Sequence, residues 1–200
     1  MDLEGRLMES AYLTKIVALL KKEMEGAIQD ARIDLGELTV HVSRASLVTV
    51  VEFLLQNKAT RCEQLIDICG VDYPGRTERF DVVYNFLSFR HNFRIRLIVR
   101  TDETTSVPSL LEIYPAAAWW EREAWDMYGI TFEGNSDLRR ILTDYNFEGH
   151  PLRKDFPLTG YVEVRYDETK KAVIYEPVKM AQEFRRFDFE SPWEGMERVF

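Results

Sequence analysis

Few side chains in this sequence could perform redox, nucleophilic or metal chemistry: it has two cysteines and three histidines. Cys62 and Cys69 form no C-x-x-C pair, and two thiolates are too few for an iron–sulfur cluster, which typically takes four. His41, His91 and His150 lie far apart, without the spacing of a zinc site. For Cys62 and for His150, a functional and a purely structural interpretation both stay open. Cys62 is either a nucleophile paired with a distant histidine or, as favoured here, a small buried apolar residue. His150 is either a ligand or base, or a loop histidine bonded to backbone or to a partner carboxylate.

The two cysteines are expected to stay reduced. Thr60 and Glu63 have the spacing of a capping box, which predicts a short helix running through both cysteines to Gly70. Positions seven apart on a helix are separated by about 10 Å along its axis, whereas a disulfide needs Cα atoms within about 7 Å. The sequence therefore predicts two buried thiols in a reducing compartment.

Acid–base chemistry has one candidate cluster, the carboxylates Glu121, Glu123 and Asp126. Residues two apart on a helix do not face each other, so Glu121 and Glu123 are not a working pair. A solvated helix face with ion pairs such as Arg122–Asp126 is the favoured interpretation. The sequence also lacks the G-x-G-x-x-G, P-loop and G-x-S-x-G motifs. We therefore expect no catalytic, cofactor-binding or metal-binding residue in this chain.

Composition narrows the classes of partner. The 200 residues carry a net charge of −8 and their basic pairs are scattered among acids, which argues against nucleic acid as a partner. No apolar run approaches the roughly 20 residues that span a bilayer, and the first residues lack a signal-peptide pattern. Any association with a membrane is therefore expected to come through partner proteins.

Periodicity predicts helices and strands in alternation. Apolar residues recur with the helical period in the first helix, while hydrophobic residues and arginines alternate from Phe93 to Arg100, which predicts one core-facing and one wet or partner-facing side of the sheet. The predicted helices are 7–25, 46–57, 60–70 and 116–128, and the predicted strands are 37–43, 80–89 and 93–100, with His91-Asn92 as a tight hairpin link. This pattern predicts an α+β fold in which a mostly antiparallel sheet packs with helices.

The chain changes character near residue 142. Four of its seven prolines fall in the last fifty residues, together with many aromatic residues, and disordered tails are poor in aromatics. A small hairpin, 161–166 with 172–176, is the only regular element predicted there. We therefore expect an α+β domain over residues 1–145, followed by an extended partner-binding segment over residues 146–200.

Two segments combine large rings with paired charges. The helix segment WWEREAWDMYGI, residues 119–130, contains three tryptophans, which are expected to be buried. The segment DLRRILTDYNFEGHPLRKDFPL, residues 137–158 and here named the strap, places arginines beside carboxylates and stiffens the backbone with two prolines. These features favour a protein interface. The residues predicted to contact a partner are Arg139, Arg140, His150, Arg153, Lys154, Asp155, Phe156 and Trp193.

These segments resemble the 30-kilodalton subunit family of respiratory complex I, the NADH:quinone oxidoreductase. The resemblance rests on residues 119–130, 137–145 and 149–166, and on LIDICGVDY, QEFRRFDF and SPWE, in order over roughly residues 35–195. One departure is that Gly134-Asn135-Ser136-Asp137 stands where the family has G-H-P-D. Losing that proline is expected to loosen the turn.

The resemblance implies a scaffold subunit without catalytic residues in the peripheral arm of a proton-pumping complex. Flavin and iron–sulfur clusters would sit in partner subunits, and this chain would dock on the subunit that forms the quinone site. The complex would pass electrons from NADH to a quinone, ubiquinone being the expected one. It would lie on the inner membrane, on the cytoplasmic side in a bacterium or on the matrix side if organelle-encoded.

Three alternatives stay open. Membrane-bound hydrogenases carry a homologous module, although the strap and the SPWE tail match the respiratory form more closely. A free-standing enzyme would need a cofactor or nucleophile constellation that the sequence lacks. A stand-alone adaptor fits the residues equally well, and only the resemblance separates it from the complex I interpretation.

Overall fold

A five-stranded mixed sheet with packed helices forms the centre of the fold. The computed structural model describes residues 3–182 and 184 of the chain. The helices are α1 Leu3–Glu23, α2 Leu47–Gln56 and α3 Ala117–Tyr128, with a short 3-10 turn at Arg44–Ser46. The strands are β1 Ile28–Asp34, β2 Glu37–Val42, β3 Gln64–Asp72, β4 Phe80–Ser88, β5 Phe93–Thr101, β6 Val107–Pro108, β7 Phe132–Glu133, β8 Val162–Asp167 and β9 Ala172–Pro177.

The strand order of the main sheet is β1-β2-β5-β4-β3. Its pairs are antiparallel except β2 with β5, which run parallel. The β4–β5 hairpin lies near the middle, with Ser88 opposite Phe93 across a four-residue link. The predicted α+β class with a mostly antiparallel sheet is therefore confirmed, as is this hairpin, although its link is longer than the two residues expected.

The core lies against one side of the sheet. On the arginine side of β5, Arg94 and Arg100 are exposed and Arg96 is half-buried, so the predicted wet side is confirmed at these positions, whereas Ile98 on the same side is buried. Rings and aliphatic side chains from the sheet pack with the apolar stripes of α1 and α2. The buried set includes Leu13, Ile16, Leu20, Leu38, Val40, Leu47, Val50, Val51, Leu54, Val82, Tyr84, Phe86, Ile95, Leu97 and Val99.

The helix predicted over residues 60–70 is wrong. Residues Gln64–Asp72 form edge strand β3, which pairs with β4 along its length. The Thr60 hydroxyl starts no helix. It donates instead to the Leu54 carbonyl at 2.8 Å, at the end of α2. Gly70 fits the strand because Tyr128 of α3 packs against it, and a Cβ there would lie 2.6 Å from the ring.

Because residues 64–72 form a strand and not a helix, the two cysteines lie in different surroundings. Cys62 lies in the loop before β3 and is buried, as expected, whereas Cys69 lies on β3 and is exposed, contrary to expectation. Burial raises the pKa of the Cys62 thiol to about 12, with the Glu63 carboxylate adding to the shift. Cys62 is therefore held as a neutral thiol.

Two other features differ from the sequence-based expectation. Strand β1 was not predicted; it pairs with β2 in an antiparallel hairpin at the edge of the sheet. The expected burial of the three tryptophans of α3 is wrong: Trp119 is 63% exposed, and Trp120 and Trp125 are half-buried.

The contacts divide the chain into two compact units, one ending at Leu158 and the other beginning at Thr159. The strap therefore belongs to the first unit, while the boundary predicted at residue 145 stays a prediction. In the second unit, the predicted hairpin is present as β8 and β9, with Val162 opposite Pro177. Among the described residues, none of the helices combines the length and apolarity needed to cross a membrane.

Candidate partner-binding site

Helix α3 ends at Gly129, whose left-handed backbone (φ 77°) lets its N–H donate to the Trp125 carbonyl. A helix leaves its last carbonyls without partners inside the helix, so they need donors from elsewhere. Donors from the strap supply them. The Tyr128 carbonyl accepts from Arg153 Nε at 2.6 Å, and the Met127 carbonyl accepts from the Leu152 N–H at 3.1 Å. The strap thus caps the helix.

The carbonyl of Asp126 completes this cap. It lies 3.0 Å from Nδ1 of His150 and accepts a longer bond, 3.3 Å, from Arg140. Burial lowers the pKa of His150, while its bond to this carbonyl opposes the shift. The interpretation of His150 as a loop histidine bonded to backbone is therefore confirmed. Arginines at this end also suit the negative end of the helix dipole.

The carboxylate of Asp126 is fully buried and holds the start of the strap. It accepts from Arg140 at 2.9 Å and from the Thr143 hydroxyl at 2.6 Å. Three consecutive backbone N–H groups, those of residues 141, 142 and 143, donate to its other oxygen at 2.8–3.0 Å. Burial would raise the pKa of this carboxyl, but the bonds from Arg140 and Thr143 outweigh it and hold the pKa well below its ordinary value.

Arg140 links this carboxylate to the middle of the strap. Its guanidinium donates to the carbonyls of Phe147 at 2.8 Å and Gly149 at 2.9 Å. It also lies over the rings of Trp125, at 5.3 Å, and Phe147, at 5.7 Å. One side chain therefore closes the loop of strap between residues 140 and 149.

A second charged cluster holds the far end of the strap. Arg79 binds the buried carboxylate of Asp72 with two bonds of 2.7 and 2.9 Å, and also contacts Glu103 and Asp155. The backbone N–H of Lys154 donates to Asp72 at 2.7 Å. The Arg79 hydrogen bonds lower the pKa of Asp72 despite its burial. This bidentate pair fixes geometry as well as charge.

The solvated face predicted for α3 is wrong. Glu121, Arg122 and Asp126 are all buried, and Arg122 does not pair with Asp126. Arg122 donates instead to the strap carbonyls of Arg139, at 3.3 Å, and Arg140, at 3.0 Å. These three polar residues of α3 are therefore buried under the strap and the neighbouring loops, while Glu123 is half-buried.

Among the described residues, the donors to the Glu121 carboxylate are all neutral. Its oxygens accept from the Ser109 hydroxyl at 2.7 Å, the Leu110 N–H at 2.8 Å and the Asn135 amide at 2.9 Å. Burial raises the pKa of Glu121, and these bonds only partly offset the shift. Asn135 also accepts from the Asp137 N–H at 3.0 Å, so side-chain bonds cross the turn in which this chain lacks the family's proline.

The predicted partner-contact residues fall into three groups. Arg140, His150 and Arg153 are half-buried and bound within their own chain, and Phe156 is half-buried with its ring 5.8 Å from that of Phe147. Arg139, Lys154 and Asp155 are exposed at the surface. Trp193 lies outside the described residues. The structure thus brings together the strap members of the predicted set, while their contacts with a partner stay a prediction.

The predicted partner-contact residues leave out the exposed apolar residues of the strap. Leu142, Tyr145, Leu152 and Leu158 are 63%, 88%, 49% and 90% exposed. They were overlooked because charged neighbours dominate the segment. The signal was present nonetheless, since a segment of this length with four large apolar residues cannot bury all of them in itself.

The side chains that could ligate a metal are dispersed over the fold. Among the described residues, no group of three or more histidine, cysteine, aspartate or glutamate side chains could hold a metal ion. His91 Nε2 lies 2.9 Å from the Lys58 carbonyl, well apart in sequence from Cys62 and His150.

The fold and the hydrogen bonds that hold the strap define a class of protein: an α+β domain that keeps an apolar surface segment in a fixed conformation. Residues 40–162 match the family described as respiratory-chain NADH dehydrogenase, 30 Kd subunit. The chain belongs to this family. It is one subunit of NADH-quinone oxidoreductase, an electron-transport complex of the respiratory chain.

Curated relatives match nearly the whole chain. The matching NADH-quinone oxidoreductase subunit of Hyphomonas neptunium is 56% identical over 192 residues, covering 96% of this chain and 95% of the relative. The matching subunit of Paramagnetospirillum magneticum is 61% identical over 160 residues, 80% of each chain. The resemblance inferred from the strap and α3 motifs is thereby confirmed.

A solved structure supports the fold. A chain of the membrane-bound sulfane sulfur reductase, an archaeal respiratory membrane complex, aligns with a TM-score of 0.64 over 80% of this chain and 98% of its own length. Its sequence identity is 23%, so the likeness concerns the fold alone.

Proposed function

We propose that this chain is a non-catalytic scaffold subunit in the peripheral arm of the complex, where the strap docks on the subunit that forms the quinone site. In this proposal the chain binds no cofactor, and flavin and iron–sulfur clusters belong to partner subunits. The whole complex transfers electrons from NADH to a quinone, with ubiquinone the expected one, and pumps protons. The chain is held at the inner membrane by its partners, on the cytoplasmic side in a bacterium or the matrix side in an organelle.

The observation that carries the proposal is that the strap binds its own domain through polar groups and exposes large apolar side chains. Arg140 and Arg153 point inward and bind the last carbonyls of α3. The apolar side chains of Leu142, Tyr145, Leu152 and Leu158 are exposed instead. Exposed apolar side chains grouped on one segment are typical of a protein interface. Because the backbone beneath them is already fixed, a partner that covers them loses less conformational entropy on binding.

The hairpin β8–β9 gives a second reason. Val162, Val164, Tyr166, Val173 and Tyr175 are all more than half exposed. An isolated two-stranded hairpin is at best marginally stable in water, and it gains stability when its apolar residues are covered. The hairpin therefore fits a segment that is completed by a neighbouring subunit.

The test replaces two exposed apolar residues of the strap and leaves Asp126, Arg140 and Arg153 unchanged. Leu142→Ser with Tyr145→Ser is introduced into the native complex, and the amount of assembled complex and its quinone reduction are measured in membranes. We expect assembly to fall severalfold, because buried aromatic and aliphatic anchors carry most of the binding energy of an interface. Turnover per assembled complex should stay at the wild-type value.

Phe89→Ser is the matched control, since Phe89 is also an exposed apolar residue, at 65%, but lies in the β4–β5 link. It should assemble normally. If the strap variant assembles normally while turnover collapses, the strap takes part in catalysis and the scaffold proposal is wrong. NADH oxidation by an artificial acceptor should survive in every variant that retains the flavin-bearing part.

The cofactor assignment has its own measurement. The full chain, expressed alone, should show no flavin absorbance and no stoichiometric iron or zinc. Stoichiometric flavin or metal in the purified chain would contradict the assignment of all cofactors to partner subunits.

A further inference from the structure

The β1–β2 hairpin ends in a two-residue turn, Leu35-Gly36, between the paired residues Asp34 and Glu37. Both turn residues have a left-handed backbone, with φ 53° at Leu35 and 82° at Gly36. This combination belongs to the type I′ turn, where Asn-Gly and Gly-Gly are favoured because an L side chain is strained at positive φ. Leu35 is thus held in a conformation that its Cβ disfavours.

Within the part of the chain that the structure describes, no packing contact compensates this strain, because the Leu35 side chain is fully exposed. Among the described residues, the other non-glycine positions with positive φ are Arg61, Asn92 and Lys171, all polar. Leu35 therefore combines two unfavourable features, a strained backbone and a large apolar group in water. Strain of this kind persists where it serves a function.

The charges around the tip indicate what kind of surface would receive it. The β1–β2 hairpin contains three carboxylates, Asp30, Asp34 and Glu37, against one arginine, Arg32. Asp34 pairs with Arg32 and Glu37 with Arg96, yet their side chains remain 66% and 51% exposed. An apolar knob between two acids is complementary to an apolar pocket rimmed by lysine or arginine.

We propose that Leu35 anchors a second docking surface, inserting into an apolar, cation-rimmed pocket on another subunit of the NADH-quinone oxidoreductase. The partner is a subunit of the complex because the chain belongs to that assembly. The proposal is independent of where the strap docks, since the tip and the strap are separate parts of the surface that share no residue.

The test uses one substitution that should stabilise the free chain and weaken the assembled complex. Leu35→Asn introduces a residue that tolerates the left-handed backbone, so the melting temperature of the free chain should rise by about 2–4 °C. In the assembled complex, the same variant should dissociate about tenfold faster in dilute urea, since an interface anchor has been removed. A crosslinker placed at position 35 should join the chain to one subunit of the purified complex.

Two control variants separate the loss of the apolar side chain at position 35 from other effects of substitution. Leu35→Met retains an apolar side chain and the strain, so it should dissociate at the wild-type rate, and Phe89→Ser should also leave dissociation unchanged. The proposal is overturned if Leu35→Asn leaves the complex as stable as wild type, or if it lowers the melting temperature of the free chain, which would place Leu35 in an internal contact. Strap variants that fail to weaken assembly would sink the proposed function without bearing on Leu35.

Discussion

Helix α3 buries two carboxylates five residues apart, and their surroundings give them opposite protonation behaviour. Asp126 and Glu121 are both fully buried. Asp126 accepts five hydrogen bonds, one of them from the Arg140 guanidinium, and has a lowered pKa. Among the described residues, Glu121 accepts three bonds from neutral donors and has a raised pKa. Burial disfavours the charged form in both cases, so the number and charge of the donors decide the outcome.

The difference between the two carboxylates shows that the conformation of the strap depends on a charge pair, whereas the structure around Glu121 does not. The cation at Asp126 comes from the strap, so the burial of this carboxylate and the conformation of residues 140–149 stabilise each other. The region around Glu121 needs no such partner, because Ser109, Leu110 and Asn135 supply ordinary hydrogen bonds. We therefore expect changes at Asp126 to release the strap and changes at Glu121 to remain local.

The largest effect should follow Asp126→Asn. An amide cannot accept from Arg140, Thr143 and three backbone N–H groups as the carboxylate does, so the guanidinium is left without its countercharge. Breaking a buried charge pair costs about 3–5 kcal/mol, and we expect the free energy of unfolding to fall by about 3 kcal/mol. Urea denaturation of the full chain, followed by tryptophan fluorescence, measures it. A loss below about 1 kcal/mol would mean that the carboxylate is not the anchor of the strap.

A smaller effect should follow Glu121→Gln, the matched amide substitution one and a half turns earlier on the same helix. The glutamine oxygen still accepts one or two of the three bonds, and no cation is left unpaired. The expected loss is about 1 kcal/mol, the typical value of a single hydrogen bond. Equal losses for the two amide variants in the same denaturation assay would remove the distinction between the two regions.

The pH dependence sharpens the comparison because the two variants should respond in opposite directions. A lowered folded-state pKa makes the contribution of Asp126 present above its ordinary value of 3.8 and lost as pH falls through the folded pKa. A raised folded-state pKa makes the contribution of Glu121 present below its ordinary value of 4.5 and lost as pH rises through the folded pKa.

Between about pH 3 and 7, the free-energy difference between wild type and Asp126→Asn should therefore grow up to about pH 5 and then level off, while that between wild type and Glu121→Gln should shrink as the pH rises above about 4.5. Denaturation curves of the three proteins across this range test both signs. Two differences that move in the same direction would show that the carboxylates titrate alike.

The sequence predicted most elements whose hydrogen bonds and apolar faces are decided locally. The alternation in residues 80–100 identified the β4–β5 hairpin, helical periodicity identified α1 and α2, and Gly129 marked the end of α3. It failed for β3, because a short apolar run with a Thr60…Glu63 pattern suits a helix as well as a strand. Only pairing with β4 decides between them.

The candidate site shows the same limit. The arginines and carboxylates of the strap were recognised as a geometric unit, but the partner of Arg140 was not, because Asp126 lies fourteen residues earlier on another element. Helical spacing favoured Arg122 as its partner, and burial of the whole face overruled that choice. Charge pairing across a fold depends on which faces are buried, and spacing within one helix does not reveal it.

The most direct test of a pre-formed docking surface is amide hydrogen exchange in the full chain, free of its partners. The N–H groups of residues 141, 142, 143, 152 and 154 donate to Asp126, Met127 and Asp72, and should exchange slowly before any partner binds. In Asp126→Asn, residues 141–143 should lose this protection while the β4–β5 hairpin keeps its own. If the strap amides of the wild-type chain exchange as fast as those of exposed loops, the strap's conformation is not set by its own domain, and the docking surface is not pre-formed.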